Sequence, residues 1–280
     1  MKPGTLYVLS TPIGHLGDFS FRGLEVLRQV AVVAAEDTRR TRRLLAHYEV
    51  PGEVVSLHAH SGPAAVERLL DRVESGEDVA YATDAGTPGI SDPGAALAAR
   101  AHERGLAVVP IPGPAAVIAA LAAAGFPADR FVFAGFLPRK GTSRAALLER
   151  IAAEPWTTVC YEAANRTVAL LTDLAACCGP DRPAAVAREL TKLHEEVRRG
   201  TVGALLQYYE EHPPRGEVTI VLGGAPRAGA GSADAATEPS GARELAAALR
   251  ADGNAPGAIA KELAQRLGIS RHDAYRLLTR

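Results

Sequence analysis

Cysteine is scarce. Three occur among 280 residues, Cys160, Cys177 and Cys178, and the last two are neighbours. An odd count without ligand-like spacing excludes a disulfide framework or a cysteine-rich zinc module, and favours a reducing, cytoplasmic setting. Aromatic residues make up only 5% of the chain, with one tryptophan, and methionine occurs once. Neither sign of charge dominates: 31 Lys and Arg stand against 32 Asp and Glu, a net charge of −1. That balance removes the simplest nucleic-acid argument, a chain basic overall, and leaves local patches to be sought segment by segment. Long apolar runs are also missing. The longest, Ala115 to Ala124, is about half of the roughly 20 residues a bilayer requires, so no membrane partner is expected. Thr5-Leu6-Tyr7-Val8-Leu9-Ser10 follows Met1 to Gly4 directly and reads as a first strand, not a signal peptide.

Several motifs are absent as well. No G-x-x-x-x-G-K-[ST], G-x-S-x-G or H-E-x-x-H occurs, so triphosphate-cradle, serine-hydrolase and zinc-protease chemistry have no support. His58-Ala59-His60 places two imidazoles at one strand end, but no further ligand pattern accompanies it, and no metal is expected.

What is present is alternation. Short β-rich runs and Ala/Leu/Arg helical patterns succeed one another to about residue 222, which predicts βαβ units and a largely parallel sheet. Strands are expected at Leu6–Ser10, Val30–Ala35, Val54–Leu57, Val79–Thr83 and Ala107–Ile111, with four helices between them. Ile111-Pro112-Gly113-Pro114 cannot continue a strand, because its prolines remove ladder donors and fix φ. It marks a domain crossing. A second series adds strands at Phe131–Phe136, Thr157–Tyr161, Ala184–Arg188 and Val218–Leu222. The expected domains are 1–112, 113–224, a linker at 225–241 and a tail at 242–280. Fourteen of the 17 linker residues are Ala, Gly, Ser, Thr or Pro, too few large apolar groups to offset chain entropy. In the tail, Arg243 to Arg280 carries seven Lys/Arg and four Asp/Glu. There, Gly268 follows one helical pattern and Ser270 opens the next, the spacing of a helix-turn-helix.

The chemistry-bearing stretches follow predicted strands. Ser10-Thr11-Pro12-Ile13-Gly14-His15-Leu16-Gly17-Asp18 is a Gly/Pro-rich loop at the carboxyl end of the first strand, where open α/β sheets place ligands. It lacks the G-x-G-x-x-G order of a dinucleotide site. Thr83-Asp84-Ala85-Gly86-Thr87-Pro88-Gly89-Ile90-Ser91-Asp92-Pro93-Gly94 combines three glycines with carboxylates and hydroxyls but no Lys or Arg. That composition suits close backbone approach by a neutral or cationic ligand, although Asp92 also suits a helix cap. In Glu36-Asp37-Thr38-Arg39-Arg40-Thr41-Arg42-Arg43 two carboxylates precede four arginines. An ordinary cap and solvated face would explain it, and so would a site that handles a hydroxyl beside phosphates. Arg139-Lys140 repeats the basic signal. Tyr161-Glu162-Ala163-Ala164-Asn165-Arg166 and Ala187-Arg188-Glu189-Leu190-Thr191-Lys192 end strands of the second half in polar groups, and a cleft between the halves is the natural site.

With these stretches together, the chain resembles the ribosomal RNA small subunit methyltransferase I family, a branch of the tetrapyrrole methylase fold group. Ala-Glu-Asp-Thr-Arg at 35–39, Asp-Ala-Gly-Thr-Pro at 84–88 and Ala-Arg-Glu-Leu-Thr-Lys at 187–192 carry the likeness, which runs in order over residues 4–222. The resemblance implies an α/β, two-domain, class III S-adenosylmethionine methyltransferase with a small C-terminal helical domain, usually a homodimer. It also implies 2′-O-methylation of a decoding-site cytidine in 16S rRNA of the small ribosomal subunit. Under it, Pro12, Asp84, Ala85, Gly86, Thr87 and Ser91 would shape the donor pocket from the first domain, with Pro112, Pro114 and Ala115. Tyr161, Ala187, Arg188, Glu217 and Thr219 would contribute from the second. A ribose hydroxyl needs a carboxylate to take its proton; Asp37 is the first candidate and Glu36 the second. Lys192 or Arg39 would stabilise developing negative charge or hold a phosphate. RNA binding would rest on Arg39, Arg40, Arg42, Arg43, Arg139, Lys140 and the basic tail, not on overall charge. The alternatives are a porphyrinoid C-methyltransferase of the same fold and a helix-turn-helix DNA-binding regulator.

Overall fold

A computed structural model describes residues 2–58, 60–226, 242–251, 254–267 and 274. Residues Met1–Ala225 form one compact unit and Pro226–Arg280 a second.

The first unit begins with β1 (Thr5–Leu9), α1 (Phe21–Gln29), β2 (Val32–Ala35), α2 (Thr38–His47), β3 (Glu53–Ser56), α3 (Pro63–Glu74), β4 (Val79–Ala82), α4 (Gly94–Glu103) and β5 (Ala107–Ile111). The five strands form a parallel sheet in the order β3-β2-β4-β1-β5. The near-continuous apolar runs VVAA and VAYA of β2 and β4 are buried throughout, as strands covered on both faces must be. Alternate residues serve the two faces: Val32, Ala34, Val79 and Tyr81 pack with Leu70 and Leu97, whereas Val33, Ala80 and Ala82 pack with Leu27 and Leu44. Because every strand runs the same way, the loops after β1, β2, β4 and β5 emerge at one edge.

After α5 (Ala116–Ala124) come β6 (Phe131–Phe136), α6 (Thr142–Ala153), β7 (Thr157–Ala163), α7 (Thr167–Cys178), β8 (Pro183–Arg188), β9 (Glu196–Thr201), α8 (Val202–Glu211) and β10 (Glu217–Leu222). Their sheet has the order β6-β7-β10-β8-β9. Here the expectation of parallel pairing needs correction: β6 and β7 are parallel, but β10 runs antiparallel to both β7 and β8, and β8 antiparallel to β9. Strand β9, Glu-Val-Arg-Arg-Gly-Thr, was not expected. It is a charged edge strand, the kind of sequence that resists edge-to-edge pairing and hides its own β-pattern. Its Glu196 sits opposite Arg188 and accepts a bond of 2.8 Å from its Nε. Helix α5 covers one face through Val117, Leu121 and Ala124 against Val159 and Ala185, and α7 and α8 cover the other through Leu170, Leu174 and Leu205.

In the second unit, α9 (Ala242–Ala251) and α10 (Pro256–Leu267) share a small core of Ala246, Ile259, Ala260, Leu263 and Ala274. Gly268 and Ser270, on which the helix-turn-helix expectation rests, lie outside the described residues, as does most of the expected linker. No helix of the described residues is long and apolar enough to cross a membrane.

Candidate active site

Three loops of the first sheet are tied together by short polar bonds. Thr11 and Gly86 exchange backbone hydrogen bonds of 2.9 and 3.0 Å. The Ser10 hydroxyl donates to Thr87 Oγ1 at 3.1 Å, and Thr87 donates to the Pro114 carbonyl at 3.0 Å. Gly86 has φ of +87°, a conformation that glycine adopts without steric cost. Ser91 is also left-handed, with φ of +69°. Asp92 holds that turn: its carboxylate accepts from the Gly89 N–H at 2.9 Å and the Gly94 N–H at 2.7 Å.

The facing wall comes from the second sheet. Tyr161 of β7 and Thr219 of β10 are cross-strand partners, and the Tyr161 hydroxyl accepts the Val117 N–H at 3.1 Å, which satisfies an orphan donor in the first turn of α5. Between the walls lies a cavity of about 460 Å³, lined by Glu36, Asp84, Ala85, Gly86, Thr87 and Ser91 on one side. Ala115, Phe136, Tyr161, Glu217 and Thr219 line it on the other, and Ile90 and Asp92, which flank Ser91, belong to the first side. A second cavity, of about 830 Å³, is lined by Pro12, Arg40, Arg43, His47 and Lys192. Ile13, Arg40, Thr83, Asp84, Ala85 and Glu217 belong to both. An acidic inner chamber therefore adjoins a basic outer groove. Among the described residues, no group of three or more His, Cys, Asp or Glu side chains could hold a metal ion.

The adjacent carboxylates have opposite environments. Asp37 caps α2 by accepting the Arg39 N–H at 2.9 Å, and Arg39 Nε and Nη2 donate to its two oxygens at 3.0 and 2.7 Å. These bonds hold its pKa far below the ordinary carboxylate range. It lines neither cavity; its own N–H donates to Asp84 Oδ1 at 2.8 Å. Glu36 faces the inner chamber. Burial, reinforced by the charges of Asp84 and Asp92, raises its pKa, against a weaker opposing bond from Thr83. The two carboxylates thus differ in surroundings: Asp37 is paired with a guanidinium, whereas Glu36, accepting from the Thr83 hydroxyl, lines the inner chamber.

Lys192 meets two carboxylates, Glu189 and Glu217, each at 2.9 Å. Burial opposes its charge, but the carboxylates outweigh it and its pKa is raised. Its loop crosses from the second sheet to the first, where Thr191 Oγ1 accepts the His15 N–H at 3.0 Å. The position of Gly216 favours glycine: its φ of +81° is left-handed, and a Cβ there would displace the end of the Glu189 side chain.

Other expected residues fall outside both cavities. Pro112 is exposed, and Pro114 acts through its carbonyl. Ala187 is buried against α5 and its neighbours, paired in register with Thr219. Arg188 is engaged by Glu196. Of the arginine cluster, Arg40 and Arg43 line the groove, with Arg40 3.7 Å from Asp84. Arg39 is 85% exposed, and Arg42 reaches the Thr38 hydroxyl at 3.3 Å. Arg139 and Lys140 are exposed beyond the rim. Phe136, Ile13 and Ile90 were missed, since single apolar residues next to glycine and proline carry no periodic signal.

The family model described as Tetrapyrrole (Corrin/Porphyrin) Methylases matches residues 5–206. The chain is 44% identical over 275 residues to "Ribosomal RNA small subunit methyltransferase I" of Xylella fastidiosa, covering 98% of each. It is 41% identical over 274 residues to the protein of the same name from Synechocystis sp., covering 98% of this chain and 97% of that one. Among solved structures, uroporphyrin-III C-methyltransferase from Thermus thermophilus, complexed with S-adenyl homocysteine, superposes with a TM-score of 0.57. Its identity is 18%, over 79% of this chain and 97% of that one; this likeness concerns the fold. The fold is the two-sheet class III methyltransferase architecture, and the chain belongs to the ribosomal RNA small subunit methyltransferase I family, a branch of the S-adenosylmethionine-dependent tetrapyrrole methylases.

Proposed function

We propose that the protein methylates the ribose 2′-hydroxyl of a decoding-site cytidine in 16S rRNA of the small ribosomal subunit, with Glu36, not Asp37, as general base. The observation that carries this reading is Glu36 itself, a carboxylate of raised pKa at the inner chamber, which shares Arg40, Asp84 and Glu217 with a basic groove.

The residues present fit S-adenosylmethionine. The chamber's volume of about 460 Å³ lies within the range of about 300–1,000 Å³ typical of small-molecule sites. Asp84 and Asp92 offer negative charge to a cationic ligand, Thr87 and Ser91 offer hydroxyls, and Tyr161 and Ile90 offer apolar surface to a nucleobase. When bound, this donor supplies an electrophilic methyl group on a positively charged sulfur. Glu36 accepts the hydroxyl proton as the oxygen attacks, a role its raised pKa suits. Arg40 and Arg43 hold phosphates on either side of the acceptor sugar. Lys192 is a positioning residue: its bonds to Glu189 and Glu217 neutralise it and brace its loop against the second sheet, while the adjacent Thr191 hydroxyl, accepting the His15 N–H, ties that loop to the first, so that both walls keep the alignment that in-line transfer demands.

The same proposal includes a body of two lobes, 1–112 and 113–224, and a homodimer in solution, which light scattering would measure. The test of function is transfer of labelled methyl from S-adenosylmethionine to small subunits lacking the modification, a porphyrinoid, or duplex DNA. Label at a cytidine 2′-oxygen of the subunit RNA is expected. Label confined to the porphyrinoid, or to a base carbon or nitrogen of the RNA, would overturn it.

A further inference from the structure

Phe136 has no part in the mechanism above, yet it is 57% exposed at the rim of the inner chamber. Leaving most of a phenyl ring in water forfeits burial that an aromatic side chain ordinarily gains. The local backbone sets it there. The register of β6 on β7 shifts between Phe133 and Gly135, and Gly135 takes φ of +63°. A bulge of this kind re-aims the side chains that follow. Phe133 then pairs with Val159 and Phe136 with Tyr161, so both phenyl rings share the face of Tyr161. Their centroids lie 4.9 and 5.5 Å from the Tyr161 ring.

The shelf is rigid. The Tyr161 hydroxyl is fixed by the Val117 N–H. Arg166 donates to the Leu137 carbonyl at 3.2 Å, and Arg144 donates to the Pro138 carbonyl at 2.8 Å while bonded to Asp173. Next along the loop come Arg139 and Lys140, both exposed, neither with an ion-pair partner among the described residues. An aromatic ring followed by free cations is the pairing that single-stranded nucleic acid requires, a face for a base and charge for its backbone. A nucleotide splayed from its strand to bring its 2′-oxygen to Glu36 loses its stacking neighbours, and an aromatic ring gives its base a new surface.

We propose that Phe136 is the platform on which the base of the acceptor nucleotide stacks, while Arg139 and Lys140 meet the neighbouring phosphates. This rests on the reading of the cleft as an RNA 2′-O-methyltransferase site. The acidic walls around Glu36, Asp84 and Asp92 suit the donor; Phe136 lies at the edge an incoming strand meets.

The test compares the full-length wild type with Phe136→Ala, Phe136→Leu and Phe136→Trp. It measures KM for undermethylated small subunits and, by calorimetry, Kd for S-adenosylmethionine. Loss of one base–aromatic stack predicts that the Ala and Leu variants raise subunit KM by about 5- to 100-fold, with donor Kd within about two-fold of wild type and the Trp variant near normal. Unchanged KM in Phe136→Ala and Phe136→Leu overturns the assignment, as does weakened donor binding with subunit KM intact, which would give the ring to the donor. A wild type that labels no subunit RNA sinks the functional reading and this proposal with it; a wild type that labels it normally while the variants match it sinks this proposal alone.

Discussion

Replacing Glu36 and Asp37 one at a time separates two roles that adjacent carboxylates could share. Glu36→Gln keeps shape and hydrogen-bonding capacity while removing the proton acceptor. A positioned general base contributes about 10²- to 10⁴-fold, so turnover should fall by that factor, or about 2.7–5.5 kcal/mol of barrier. Stability should hold or rise, because the substitution removes a charge that burial, Asp84 and Asp92 all disfavour. Asp37→Asn should leave turnover within a few-fold, since Asn caps a helix about as well as Asp and Asp37 lines neither cavity. The pH dependence has a definite sign. Glu36 works when ionised, and its pKa in the free protein lies above the ordinary 4.5, so the acid limb of the kcat/KM profile should sit above that value and vanish in Glu36→Gln. Its contribution to stability runs the other way: it is fully present below the ordinary pKa and is lost as pH rises through the raised one. Asp92→Asn should move the acid limb to lower pH by removing one of the two repelling charges. The assay is single-turnover methyl transfer to undermethylated subunits from acid to neutral pH, with chemical denaturation alongside. Full activity in Glu36→Gln, or an equal loss in Asp37→Asn with its fold intact, would refute the assignment.

Gly86→Ala forces a Cβ into a left-handed backbone at φ of +87°, which costs about 1–2 kcal/mol; donor affinity by calorimetry should drop as the loop shifts, and unchanged affinity would show that the loop has no part in the donor seat. Tyr81→Phe should be neutral or raise stability by up to about 1 kcal/mol, because the buried Tyr81 hydroxyl has no hydrogen-bond partner; a clear loss in urea unfolding would contradict this. Affinity for subunit RNA should weaken steeply with salt, and Arg43→Gln should reduce the log–log salt slope by about one; a slope unchanged by the substitution would remove Arg43 from the phosphate contacts.

The chain's local patterns already determined a good deal. Apolar runs such as VVAA and VAYA, separated by Gly and Pro punctuation, specify buried parallel strands, because only a sheet covered on both faces gives every residue of such a run an apolar neighbour. The motif order likewise placed the site at the loops beyond the strands. Three matters were settled by tertiary structure. Strand β9 is an edge whose charges mask its period, so its pairing with β8, and with it the mixed second sheet, exists only as a long-range contact. Glu36 and Asp37 are equivalent carboxylates on paper; the turn from β2 into α2 gives one to Arg39 and the other to the chamber, and burial with two neighbouring charges then separates their acidities. Phe136 is one more strand-end phenylalanine until a bulge one register earlier turns it to the rim. Propensity and periodicity act over a few residues, whereas burial, charge proximity and facing direction are sums over segments that meet only once the chain has folded.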